Sequence, residues 1–281
     1  MRKILVAIDG LNYKPSVTEQ AISLALHSNG HLVGLFLHDR TYHSYKIYDI
    51  NTGMLMSNES IAKGEARDKQ LRAEAIEAFV AACNLHKITY TVREDKDIAL
   101  PQLIHESLYT DLLVINSGEQ FNYYPTSRPS RFLKELLESV HCPVLLAPDE
   151  AQPITRTVLL YDGSPSSVTA IKRFCDQAPR FGSHQTDVAV LTIKGTGESL
   201  HLKDNKLIKE YLKRHFPKAT YTVVAGEANR KIPAMLKKEP SSTVVVLGAY
   251  QRGMVSRWLR PSMADILLST VKLPLFIAHL R

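Results

Sequence analysis

Apolar positions in the first half of the chain fall into short runs separated by longer stretches with helical spacing. Residues 4–8 form one apolar run, 16–27 carry the three-and-four spacing of an amphipathic helix, and 32–37 form a second run. A long helical stretch over 60–85 follows. Then come a strand over 88–92, a short helix over 98–108, a run at 112–115, a helix over 131–140 and a last strand at 144–147. Strands alternating with helices predict parallel β-α units.

The second half repeats the order. Strands are predicted at 158–161, 188–193, 220–224, 244–247 and 275–278, with helices at 166–177, 205–215, 228–238 and 262–270 between them. The repetition reaches individual residues. Val6-Ala-Ile-Asp-Gly10 matches Leu160-Tyr-Asp-Gly163, Arg128-Pro-Ser130 matches Arg260-Pro-Ser262, and Cys142-Pro-Val-Leu-Leu-Ala147 matches Leu273-Pro-Leu-Phe-Ile-Ala278. The proline-bounded polar segment Pro148-Asp-Glu-Ala-Gln-Pro-Ile154 reads as a linker. The expectation is an α/β protein of two tandem doubly wound domains, 1–148 and 155–281, each with a five-stranded parallel sheet and related by a pseudo-two-fold axis. The copies differ mainly after their second strand, where the first carries a tyrosine-rich insertion at 39–57. It reads equally as a lid or contact surface and as an ordered insertion packed on its own domain.

Length supports the division, since 281 residues exceed the roughly 100–200 usual for one domain. The five apolar residues before Asp9 are too few for the core of a signal peptide, and no segment approaches the ~20 apolar residues of a membrane helix. Cys83, Cys142 and Cys175 are odd in number and set in apolar patterns, as expected of buried thiols in a reducing compartment, so a cytoplasmic location is expected. A net charge of +7 invites an anionic partner. The densest basic run, 203–214, alternates with apolar residues as the solvated face of a helix does, so neither nucleic acid nor a membrane is expected as partner.

In an open parallel sheet, ligands bind where the strands' carboxyl ends and the helix N-termini converge. Asp9 and Asp162 close the first strands, and Ser130 and Ser262 open the last helices, so all four point to such rims. Each also has a structural reading. Aspartate-glycine is a common turn, and Ser262 with Asp265 makes a capping box.

Taken together and in this order, these residues resemble the universal stress protein family over nearly the whole chain, as two tandem copies. The resemblance implies a five-stranded α/β fold that binds ATP in some members. In those members the first-strand aspartate contacts adenosine, and a loop of Gly, two residues, Gly, nine residues, Gly-Ser/Thr wraps the phosphates. Carried onto the second copy, Asp162 falls on the aspartate, Ile193 on the residue whose backbone meets adenine, Gly248 on the first loop glycine and Ser262 on the serine. Gln251 and Pro261 replace the other glycines, and proline has no N–H to offer phosphate. Arg252, Arg257 and Arg260 add cations around the loop, and Gly253 keeps some freedom there. The first copy departs further. Asn116 and Glu119 stand where glycines belong, and a carboxylate there opposes phosphate, so Asp9, Arg128 and Ser130 are expected to remain as framework around a mouth closed to triphosphate.

The implied function is a stress-response binding or signalling protein without enzymatic activity. It would take ATP or another adenine nucleotide, or a different small anion, in the second copy only, with Mg²⁺ accompanying the nucleotide. The alternatives are slow nucleotide hydrolysis at the second loop and a scaffold with no small ligand. Family members dimerise through their last strands, which here could pair within the chain, with a homodimer as a further assembly. No Walker loop, no nucleophile elbow and no compact metal signature is present. His38, Asp39 and His43 near Asp9 match no metal spacing, so no metal site is expected.

Overall fold

The computed structural model describes residues 3–38, 43, 48–49, 54–55, 57–95, 98–121, 128–150, 152–181, 187–248 and 262–279. The first half runs β1 (Lys3–Asp9), α1 (Pro15–Ser28), β2 (His31–Leu37), the hairpin strands β3 (Tyr48–Asp49) and β4 (Met54–Leu55), and α2 (Asn58–Leu85). It continues with β5 (Tyr90–Asp95), α3 (Ala99–Ser107), β6 (Leu112–Asn116), α4 (Arg131–Ser139) and β7 (Val144–Ala147). The second half runs β8 (Arg156–Leu160), α5 (Pro165–Gln177) extended by a 3-10 turn at Ala178–Phe181, β9 (Asp187–Lys194), α6 (Asn205–His215) and β10 (Thr220–Ala225). Then follow α7 (Ala228–Leu236), β11 (Thr243–Gly248), α8 (Met263–Thr270) and β12 (Leu275–Ala278).

Ten strands join one sheet in the order β10-β9-β8-β11-β12-β7-β6-β1-β2-β5. Counted from the middle outwards, each half shows its fifth, fourth, first, second and third strand, so the sequence repeat is a structural repeat. Within each half of that sheet every pairing is parallel. The halves meet through β7 and β12, which are antiparallel with Leu145 opposite Phe276 and Leu146 opposite Leu275. The two halves therefore run head to foot.

Strand alternation sorts the core into two layers. Ile4, Val6 and Ile8 of β1 face a layer that includes residues of α1, α2, α5 and α6, whereas Leu5 and Ala7 face one built with α3, α4, α7 and α8. Both apolar layers run across the linker and include residues of both halves. At the centre of β2, Gly34 leaves room for Phe79 of α2, whose ring meets Phe36 edge to face at 5.8 Å between centroids.

Helix starts are set by short polar side chains. Ser57, Ser130, Ser164 and Ser262 each accept a backbone N–H at the start of α2, α4, α5 and α8. One strand is displaced from its sequence expectation. The segment predicted at 88–92 pairs at Tyr90–Asp95, because the chain leaving α2 turns through Lys87 at a positive φ of 52° before extending. The strand then continues through Arg93 and Glu94, which an edge position tolerates because one side faces water. Of the insertion at 39–57, the described part is the β3–β4 pair, His43 and Ser57, so its proposed roles lie outside the described residues.

Candidate ligand-binding site

With the five strands that each half gives to the large sheet parallel, their carboxyl ends share one rim, and each half has its own mouth there. The first turn at each mouth is built the same way twice. The Asp9 Oδ1 accepts the Leu11 N–H at 2.8 Å, and the Asp162 Oδ1 accepts the Ser164 N–H at 2.8 Å. A proline then opens each following helix.

The two aspartates differ in setting. Asp9 is buried, at 4% exposure, while Asp162 is exposed. Partial desolvation opposes ionisation of Asp162, but hydrogen bonds from Ser164 and Ser167 outweigh it and hold the carboxyl below its ordinary value.

Each turn glycine lies beneath a long cationic side chain. A Cβ on Gly10 would fall 2.9 Å from Cγ of Arg72, and one on Gly163, whose φ is +75°, would fall 2.6 Å from Cδ of Lys203. Tyr161 donates its hydroxyl to the Lys203 carbonyl at 2.8 Å, which ties that segment to the mouth. Arg72 and Lys203 are residues that sequence reasoning missed. Both arrive from segments following the second strands, and no local spacing marks them.

The other expected positions can be placed in part. Gly248 ends β11, and a Cβ there would collide with Ser166 Oγ and lie 2.5 Å from the Ser166 carbonyl oxygen, so its lack of a side chain is required for packing against the start of α5. Ile193, the last residue of the strand expected at 188–193, occupies the penultimate position of β9 and pairs with Val224. The strand extends to Lys194 because β10 continues alongside it to Ala225. Ser262 is the N-cap of α8, and with Asp265 forms the expected reciprocal capping box. Arg252, Gly253, Arg257 and Arg260, with Gln251 and Pro261, lie outside the described residues.

The first mouth holds a cleft with about 230 Å³ of empty space including its opening, lined by Asp9, Asn12, Lys14, Thr18, Asn116 and Glu119 among others. Glu119 is buried, and its Oε1 accepts the N–H groups of Gln120 at 2.9 Å and Phe121 at 3.2 Å. Burial first, and the neighbouring Asp9 carboxylate second, push its carboxyl up to about 8 against the pull of those N–H groups and of Lys14. The Ser130 Oγ, also buried, donates to the Glu119 carbonyl at 2.5 Å while capping α4. Arg128 reaches the same rim, with Nη2 3.8 Å from Oδ2 of Asp149 in the linker. Asn116 organises the entrance by accepting the Gly118 N–H at 2.8 Å and donating to Asp149 Oδ1 at 3.1 Å.

His38 lies 4.0 Å from Glu94 and His43 3.8 Å from Asp68. Among the described residues no three His, Cys, Asp or Glu side chains converge as metal ligands would. Nor is any helix among them long and apolar enough to cross a membrane.

No protein-family model and no curated protein matches the chain. Solved structures do. A universal stress protein from Archaeoglobus fulgidus superposes with a TM-score of 0.68 at 14% identity, covering 99% of this chain and 98% of that one. A functionally unknown protein from Pseudomonas aeruginosa gives 0.57 at 15% identity over 99% and 92%. The cytoplasmic domain of a prokaryotic cation chloride cotransporter gives 0.50 at 10% identity over 98% and 94%. The class is thereby defined: the chain has the universal stress protein fold, doubly wound and present in tandem, along its whole length.

Proposed function

We propose that the chain is a tandem universal stress protein that acts by binding a small anionic ligand, with an adenine nucleotide as the first candidate, at the mouth of its second half. The observation that carries this reading is the contrast between the two first-strand aspartates. Asp162 is exposed and held in its ionised form by Ser164 and Ser167, whereas Asp9 is buried beside a second carboxyl group. An ionised carboxylate on an open rim suits the hydroxyl groups of a ribose, whereas Asp9, buried beside Glu119, offers no open carboxylate to them. Between β11 and α8 the sequence supplies Arg252, Arg257 and Arg260, whose guanidinium groups would meet phosphate oxygens, with Mg²⁺ accompanying a nucleotide. The protein would then be a soluble stress-response component whose output is ligand occupancy rather than turnover.

Calorimetric titration with ATP, AMP and pyrophosphate tests this reading. The expected result is one nucleotide per chain, lost in Asp162→Ala, with ATP recovered intact after hours of incubation. Absence of binding by all three compounds would overturn it, and ATP hydrolysis abolished by the same substitution would replace it with an enzymatic role.

A further inference from the structure

The large sheet ends in two outer strands, β5 and β10, and the two edges are finished differently. An open edge presents unpaired N–H and C=O groups, and charged side chains along it deter other strands. The β5 edge carries the exposed Arg93 and Glu94. Strand β10, Thr220-Tyr-Thr-Val-Val-Ala225, has no charged residue and no proline, and its β-branched and aromatic residues favour pairing. Gly226 donates its N–H to the Lys194 carbonyl of β9 at 2.8 Å. Alternate residues of a strand turn both backbone groups to the same side. Thr220, Thr222 and Val224 therefore bond toward β9, while Tyr221, Val223 and Ala225 present their N–H and C=O groups outward. No strand among the described residues covers that side.

The charge around this edge identifies what would pair with it. Residues 203–239, which hold α6, β10 and α7, contain ten lysines and arginines against four acidic residues, so six of the chain's seven net positive charges lie there. Two of those acids are already engaged, Glu227 by Arg230 and Glu239 by Arg156. The two helices pack on opposite faces of the sheet, α6 through Ile208 and Leu212 and α7 through Ile232 and Leu236, so cations flank the edge on both sides. The Lys209 ammonium of α6 lies 5.1 Å from the centroid of the Tyr221 ring. The Lys231 stem of α7 lies against Gly226, where a Cβ would fall 2.9 Å from its Cε. Side chains of an added strand alternate between the two faces, so acidic residues on either one meet a lysine. A second copy of β10 would instead set this positive charge against itself. We propose that the outer edge of β10 is a docking strand for an extended acidic segment of a partner protein, which adds an eleventh strand to the sheet. Backbone pairing with Tyr221, Val223 and Ala225 gives the affinity, and the flanking lysines select acidic sequence.

A labelled eight-residue peptide alternating glutamate and valine, titrated with the full chain at low salt and followed by fluorescence anisotropy, provides the test. Saturable binding is expected. A copy of the peptide N-methylated at every residue keeps the charge and loses the donors, and a lysine-valine peptide reverses the charge. Both are expected to bind at least about tenfold more weakly. Val223→Pro removes an outward N–H from the middle of the edge and leaves the bonds to β9 in place, so it should weaken the glutamate peptide by a similar factor. Lys209→Gln/Lys231→Gln should weaken it about tenfold through the loss of two exposed ion pairs, and keeps the proposal testable if Val223→Pro fails to fold. Absence of saturable binding would overturn the proposal, as would full affinity for the N-methylated peptide. Single-stranded DNA bound as tightly as the glutamate peptide, and equally well by Val223→Pro, would make this face a nucleic-acid surface instead. A dimer of the parent in sedimentation equilibrium that Val223→Pro dissolves would put a second copy at the edge and equally overturn the assignment.

Discussion

Replacing Glu119 by glutamine should make the protein more stable at neutral pH and remove part of its pH dependence. The carbonyl oxygen of the introduced amide can still accept the Gln120 and Phe121 N–H groups, so the substitution chiefly removes the group that titrates. In the native protein that carboxyl stays protonated up to about 8, whereas its ordinary value is 4.5. Between those values the unfolded chain has released the proton and the folded chain has kept it. Since the native state binds more protons there, stability falls as pH rises from 4.5 and levels off above 8. At about 1.4 kcal/mol per pH unit the full loss is about 5 kcal/mol, of which about 3 kcal/mol has occurred by pH 7. Glu119→Gln should therefore match the parent near pH 4.5 and exceed it by about 3 kcal/mol at pH 7. Urea unfolding followed by far-ultraviolet circular dichroism, at intervals from about pH 4.5 to 9, measures the difference directly. Parallel stability profiles for the two proteins would refute the assignment of a buried, protonated Glu119 beside Asp9.

Two further outcomes follow from the core. Gly34→Ala places a methyl group 2.7 Å from the Phe79 ring and should cost about 1–3 kcal/mol, with Gly34→Ala/Phe79→Leu losing less than the sum of the single substitutions in thermal melts. Burial pushes the thiols of Cys83, Cys142 and Cys175 up to about 12, so a thiol-reactive dye at mildly alkaline pH should label the native protein only slowly and label all three cysteines once urea unfolds it.

Most of the architecture is legible in the sequence because each strand is a buried apolar run and the order of runs occurs twice. The first-strand aspartates and the capping serines are legible for the same reason, as each has a counterpart at the matching point of the other half. The groups that distinguish the mouths have no such mark. Arg72 and Lys203 reach the turn glycines from distant helical or loop segments, and spacing along the chain says nothing of where a long side chain folds back. Asp149 is visible in the sequence only as a polar residue of the linker. Its contacts with Lys14, Asn116 and Arg128 depend on β7 lying parallel beside β6, which sets Ala147 opposite Asn116 at the same rim. Glu119 reads from the sequence as unfavourable to phosphate, but its perturbed proton affinity arises from burial beside Asp9, which three-dimensional packing alone creates.

The opposed course of the two halves also fixes where the two mouths lie. Asp9 and Asp162 close strands that point in contrary directions and lie five places apart in the sheet, so their mouths are offset by a strand length, about 20 Å, along the strands and by about 24 Å across them. No small molecule can bridge them. Each opening is thus a separate address on the surface, and a substitution at one leaves the residues that form its twin in place.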